Sequence, residues 1–147
     1  MNAAIDPRVA NPNAAPRPGL IIAADQYEQL QSLARQAMYR LPDVAHQLLD
    51  EVERAEVRHS AKVPTTVVGI GSQVTFRNDS TGHTQTVRLV YPAEADIDAR
   101  RISVLTPIGA ALIGLGQGQS IDWEGRDGIT RTLTVTSVNP NSGVNIV

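Results

Sequence analysis

Two stretches near the start of the chain repeat apolar residues at every third or fourth position, which is typical of one face of an α-helix. The first stretch follows Asp25-Gln-Tyr-Glu28, which has the form of a capping box with Asp25 as the N-cap. The second follows Pro42, which suits the first position of a helix because its missing N–H needs no partner there. The apolar positions of the two stretches are Leu30, Leu33, Ala34, Ala37, Leu41, Val44, Ala45, Leu48, Leu49, Val52 and Ala55.

A short link separates the two stretches, so we predict a short antiparallel helical hairpin of the coiled-coil type. Each helix should bury its apolar face against the other, with Leu48 and Leu49 as the central contacts. Such a hairpin makes few contacts beyond itself. We therefore expect an arm whose local unfolding precedes that of the remaining chain.

After Pro64 the apolar spacing changes from that of a helix to every second residue, which is typical of β-strands. Strands are predicted at residues 65–70, 73–77, 84–91, 102–104, 120–124 and 130–138, and turns at 79–82 and 125–128. Thr106-Pro107 predicts the start of one more helix, with Thr106 as its N-cap and its end at Gly114. The pattern thus predicts an α+β fold, in which one helix covers a mostly antiparallel sheet.

These elements divide the chain into three parts. Residues 1–19 carry four of the nine prolines and no apolar face, so we expect a disordered leader. The hairpin arm is predicted at residues 20–62, and the sheet domain at residues 63–147.

Composition narrows the classes of function. The chain has 147 residues, 41% of them hydrophobic and 19% charged, and it contains no cysteine for disulfides, thiol catalysis or zinc binding. A net charge of −2 argues against a sequence-independent grip on DNA or on an anionic membrane, so direct nucleic-acid binding should be weak or absent. The longest apolar run, residues 108–115, is far shorter than the roughly 20 residues that span a bilayer. A cytoplasmic protein is expected.

The sequence offers little for catalysis. His46, His59 and His83 are far apart, and none lies at metal-ligand spacing from another ligand on one element. The glycines of Gly114-Leu-Gly-Gln-Gly118 follow the predicted helix, whereas phosphate loops precede one. We therefore expect no enzyme activity, no metal and no cofactor.

One long segment resembles a known family. The stretch from Val90 to Leu115 contains Glu-Ala-Asp, then Ile-Ser, then Thr-Pro and a predicted helix of small residues. This order resembles the C-terminal domain of the bacterial Gre-type transcript cleavage factors, and the similarity extends over residues 20 to about 138. The Val-Tyr-Pro-Ala wording and the short arm resemble most the branch described as regulators of nucleoside diphosphate kinase.

The resemblance implies an FKBP-like fold for the sheet domain and docking at the rim of the RNA polymerase secondary channel. The docking positions of the family map onto Ser103, Leu105 and Pro107, with Leu105 where cleavage factors commonly have Asp. If these residues form the docking edge, Leu105 should be exposed. The fold does not imply prolyl isomerase activity here, because that site needs a cage of aromatic residues.

The arm departs from the family. In Gre-type factors a long coiled coil carries two acids at its tip, which hold a second magnesium ion for RNA cleavage. Here the first helix, predicted from about Gln26 to Tyr39, spans roughly 20 Å, about half the length of a Gre-type arm. The tip contains Tyr39, Arg40 and a single acid, Asp43. The resemblance therefore does not imply transcript cleavage.

Three hypotheses follow. The first is a binding protein that occupies the rim of the polymerase channel without cleaving RNA, and that modulates transcription or competes with cleavage factors. The second is an adaptor or regulator that influences nucleoside diphosphate kinase, by direct binding or through its expression. The third, a prolyl isomerase or a nuclease, is the least favoured for the reasons given.

Overall fold

The computed structural model describes residues 19–124 and 127–140. Its helices are α1 (Ala24–Gln36), α2 (Pro42–Arg54) and α3 (Pro107–Leu112). Its strands are β1 (Ile21–Ala23), β2 (Glu56–Arg58), β3 (Gln73–Asn78), β4 (Thr84–Val90), β5 (Arg101–Ser103), β6 (Ser120–Glu124) and β7 (Thr130–Asn139). Short 3-10 turns occupy Ser60–Lys62, Pro92–Glu94 and Ile97–Ala99. The predicted leader lies outside the described residues, apart from Gly19, as do Gly125 and Arg126 of the predicted turn at 125–128.

The main sheet has five strands in the order β5-β4-β3-β7-β6. Strands β3, β4, β6 and β7 pair antiparallel, as predicted, whereas β5 pairs parallel to β4 and makes the sheet mixed. The connection between β4 and β5 contains two 3-10 turns, after which β5 runs beside the last three residues of β4 in the same direction. The α+β prediction is confirmed.

The predicted strand at residues 65–70 is wrong. This segment turns after Pro64 and makes only an isolated bridge, between Val67 and Gly116. The Val68 N–H donates to the Leu115 carbonyl at 2.8 Å, so its backbone pairs with the exit of α3 and not with the sheet. Gly71 then takes a positive φ of 93°, which ends the extended stretch before β3 begins.

Helix α1 begins two residues earlier than a capping box with Asp25 as N-cap requires. Its N-cap is Ala23, which has no side-chain cap, and Asp25 lies within the first turn. The capping-box prediction is therefore wrong, although Asp25 still suits the positive end of the helix. Pro42 is the first residue of α2, as predicted, and Thr106 caps α3 by accepting a hydrogen bond from the Gly109 N–H at 3.0 Å.

Helices α1 and α2 pack against each other, but the hairpin that they form is not isolated. Leu30 and Leu48 are fully buried and belong to the same connected apolar core as Leu89 and Leu133 of the sheet. Leu49, the second predicted central contact, is only half-buried against this core. The expectation that the hairpin makes few contacts beyond itself is wrong, because α2 packs against α3 and shares the core of the sheet.

Backbone hydrogen bonds fix the base of the hairpin. Strands β1 and β2, which flank the two helices, pair in parallel. The Ile21 N–H donates to the Gly114 carbonyl at 3.1 Å, which ties β1 to the exit of α3. Within the described ranges, no helix is both long and apolar enough to cross a membrane.

Candidate protein-interaction surfaces

Residues 39–43, which comprise the end of the link between α1 and α2 and the first two residues of α2, form an exposed tip, which we call the hairpin tip. Tyr39 is 96% exposed and Leu41 is 40% exposed. Arg40 and Asp43 are exposed as well, and Asp43 lies in the first turn of α2. The structure thus brings the three predicted tip residues together at one end of the hairpin, where an aromatic ring stands free of the protein.

The predicted docking segment is built differently. Ser103 ends β5 and is buried, and its Oγ accepts a hydrogen bond from the Leu105 N–H at 2.9 Å. The Thr106 Oγ1 donates to the Ser103 carbonyl at 2.8 Å while it also caps α3. Gly109 has no room for a side chain, because a Cβ there would overlap the same Ser103 carbonyl oxygen. We call residues 103–109 the β5–α3 turn.

The exposure expected of Leu105 is wrong. Its side chain is 8% exposed and belongs to the apolar core. The Ser103 Oγ holds the Leu105 backbone N–H, and the chain then turns into α3. Only Thr106, Pro107 and Ile108 of this segment are partly accessible. Pro107 is therefore the one predicted docking residue that offers a surface here.

An open groove of about 840 Å³ connects the two regions, and we call it the α2–β6 groove. Arg40 and Asp43 of the hairpin tip lie at one end of it, Pro107 of the β5–α3 turn lines it, and Asp122 and Trp123 of β6 form its other wall. Tyr39 is not among the lining residues. The structure therefore brings Arg40, Asp43 and Pro107, residues far apart in sequence, to one cleft.

The walls of the groove are held by side-chain contacts. The Gln47 Nε2 donates to the Pro107 carbonyl at 3.1 Å, which ties α2 to the start of α3. On the opposite wall the Thr132 Oγ1 donates to the Asp122 Oδ1 at 2.6 Å. Gln47 and Pro107 are 60 residues apart, so no local pattern could have predicted their contact. The only feature of the sequence that could have pointed to the groove was its single tryptophan, Trp123, in a chain poor in aromatic residues.

Asp127 and Arg131, which follow β6 in the chain, form an ion pair beside Trp123. The Arg131 guanidinium lies 5.6 Å from the centre of the Trp123 ring and donates to the Asp127 Oδ2 at 2.6 Å. This hydrogen bond, together with one from the Ile129 backbone N–H, lowers the pKa of Asp127 to about 2. The Asp127 carboxylate therefore stays ionised and keeps Arg131 stacked on the indole through the physiological pH range.

Negative charge dominates the α2–β6 groove. Its described lining contains four carboxylates but only one arginine, Arg40. The carboxylates are Asp43, Asp50, Glu51 and Asp122. Glu51 is buried and pairs at 2.7 Å with Arg54, which is not among the lining residues. Among residues 19–124 and 127–140, no group of three or more histidines, cysteines or acids is placed to hold a metal ion.

The sequence of the chain matches a known protein family. Residues 63–140 match the family model "Transcription elongation factor, GreA/GreB, C-term". This match covers more than half of the chain, so the protein belongs to the GreA/GreB C-terminal family.

Individual relatives refine this assignment. The chain is similar to "Regulator of nucleoside diphosphate kinase" from Escherichia coli (strain K12), with 38% identity over 81% of this chain and 88% of that protein. It is 36% identical to "Transcription elongation factor GreA" from Azorhizobium caulinodans, but only over 52% of this chain and 48% of that protein.

A solved structure supports the same fold. "Prokaryotic transcription elongation factor GreA/GreB from Nitrosomonas europaea" superposes with a TM-score of 0.66 and 33% identity. The superposition covers 84% of this chain and 99% of that one, so it includes the hairpin as well as the sheet. The recognised resemblance is confirmed, and a transcription-factor-like regulator is the class of protein that these relatives indicate.

Proposed function

We propose that this protein is a cytoplasmic regulator that binds RNA polymerase at the rim of the secondary channel, does not cleave the transcript, and competes with cleavage factors for that site. The observation that carries the proposal is the family match over residues 63–140, combined with a hairpin tip that has one acid. The same proposal includes an FKBP-like fold for the sheet domain.

The docking face in this proposal centres on Pro107 and its partly accessible neighbours, Thr106 and Ile108. Ser103 and Leu105 act from beneath it, since both are buried and set the course of the β5–α3 turn. The hairpin tip, with Tyr39, Arg40 and Asp43, lies at the other end of the α2–β6 groove and would face into the channel.

The lack of cleavage follows from charge and length. A magnesium ion shared with the RNA needs carboxylates to hold it, and Asp43 is the single acid of the tip. Helix α1 has 13 residues, which corresponds to roughly 20 Å, so a tip of this hairpin reaches a shorter distance than a long coiled coil.

Binding to purified RNA polymerase tests the docking face. Pro107→Glu places a charge at the first position of a helix, where an acid is well tolerated, so the variant should fold but bind polymerase at least tenfold more weakly. Pro92→Glu is the matched control, because Pro92 is exposed and also begins a helical turn. Equal binding by both variants would contradict the docking face.

The second candidate function is regulation of nucleoside diphosphate kinase, by direct contact or through its expression. It is favoured by the printed name of the relative with 38% identity. Purified kinase and this protein, mixed and analysed by sedimentation, should form a complex if the contact is direct. No complex, together with altered kinase abundance in cells lacking the protein, would instead favour an effect on expression.

A further inference from the structure

The α2–β6 groove carries two carboxylates, those of Asp50 and Asp122, to which the proposed function assigns no role. We propose that it binds a basic, amphipathic segment of a partner protein, whose arginines or lysines pair with the groove carboxylates. This inference goes beyond polymerase docking and does not depend on it, because it concerns the groove's own charge and shape.

Charge complementarity selects the occupant. Asp50 on α2 and Asp122 on β6 face the groove from opposite walls, and no cation in the described part of the chain pairs with either. A ligand with phosphate groups would meet these carboxylates at close range, which disfavours nucleic acids and nucleotides. A cationic side chain that lies between the two walls would form charge-assisted hydrogen bonds with both.

The apolar part of the groove indicates that this cation belongs to a peptide and not to a small ion. Leu41, Pro42 and Pro107 line the groove beside the acids, and Leu41 is 40% exposed. An amphipathic segment covers exposed apolar side chains with its apolar face and pairs with the neighbouring carboxylates through its basic residues. A volume of about 840 Å³ accommodates several side chains of such a segment.

Trp123 adds a second, independent observation. Its ring belongs to the groove lining. Arg131 stacked on the same ring shows that this indole already accommodates a guanidinium.

Trp123 also supplies the measurement, since it is the only tryptophan of the chain. The probe is a short amphipathic helical peptide of leucine, alanine and arginine, without tryptophan or tyrosine. Its titration into the full-length protein should change the Trp123 emission in a saturable way. The same peptide with glutamate in place of arginine should leave the emission unchanged.

A matched pair of variants locates the binding. Asp50→Asn combined with Asp122→Asn removes one charge from each wall, while the new amide oxygen at 122 can still accept from Thr132. This variant should raise the Kd of the arginine peptide by roughly fivefold to tenfold. The control, Glu94→Gln with Asp98→Asn, removes two exposed charges beside β5, at the opposite edge of the sheet, and should leave the Kd unchanged.

Three results would overturn the inference. Equal weakening by both variants would show non-specific attraction to an acidic protein. Binding without a change in Trp123 emission would place the peptide elsewhere. Equal binding of the glutamate peptide would exclude charge complementarity. Polymerase binding is measured separately with Pro107→Glu, so failure here leaves the proposed function standing and the reverse also holds.

Discussion

The hairpin tip and the β5–α3 turn are both predicted to meet a partner, yet the fold treats them in opposite ways. Tyr39 at the tip is 96% exposed, whereas Ser103 and Leu105 are each 8% exposed. The turn is fixed by hydrogen bonds from Leu105, Thr106 and Gly109 to neighbouring oxygens. The β5–α3 turn thus stabilises the fold and also presents a surface. Substitutions in it should therefore lower the stability of the protein before they weaken binding.

A charge introduced at Leu105 or at Leu41 should give the largest difference in stability between the β5–α3 turn and the hairpin tip. Leu105→Arg buries a guanidinium in the core without a partner, which should destabilise the protein by about 3–5 kcal/mol. Leu41→Arg at the tip is the matched control and should stay within about 0.5 kcal/mol of the original protein. Denaturant unfolding followed by circular dichroism measures both. A Leu105→Arg protein of normal stability would show that this side chain can reach the surface.

Truncation at Leu48 tests whether the hairpin unfolds by itself. Leu48→Ala should cost about 2–5 kcal/mol, because Leu48 is fully buried in a core that continues into the sheet. Hydrogen exchange should therefore accelerate in both residues 25–60 and residues 65–138. The half-buried neighbour gives the control, since Leu49→Ala should cost less. Loss of protection confined to residues 25–60 would restore the picture of an independent arm.

The cap of α3 should give a smaller effect. Thr106→Ala removes the side-chain oxygen that accepts from the Gly109 N–H and should cost about 1 kcal/mol. Thr106→Ser keeps that oxygen and should recover most of the loss. Thermal unfolding compares the three proteins, and equal stability of the alanine and serine variants would contradict a capping role.

Tyr39→Ala should have the smallest effect on stability. Its ring contributes little to the fold at 96% exposure, so the free energy of unfolding should change by less than about 0.5 kcal/mol. If the tip meets a partner, the same variant should still weaken binding to RNA polymerase, because aromatic side chains often dominate protein interfaces. If the Tyr39→Ala variant binds RNA polymerase normally, the interface is limited to the β5–α3 turn.

Local chemistry was predictable from the sequence, and so was the family. Pro42 and Thr106-Pro107 begin helices because backbone geometry and capping act within a few residues. The segment at residues 65–70 misled the prediction, since its alternation fits a strand while its partner is the exit of α3. Alternation shows that a segment can extend, but not which backbone it will pair with.

The site was less predictable because it joins distant parts of the chain. The resemblance identified Ser103, Leu105 and Pro107, but could not show that two of them are buried. The α2–β6 groove depends on the contact between Gln47 and Pro107, which are 60 residues apart. No periodicity or motif marks Gln47, and the charge on the groove emerges only when α2 and β6 face each other.

The central claim is that this protein occupies the polymerase channel rim without cleaving RNA, and stalled, backtracked RNA polymerase complexes test it most directly. The protein alone should leave the transcript length unchanged in the presence of magnesium, and increasing amounts should slow cleavage by an added Gre-type factor. Magnesium-dependent shortening by the protein alone, abolished by Asp43→Asn, would contradict the claim. So would a rate of factor-dependent cleavage that stays constant at every concentration of the protein.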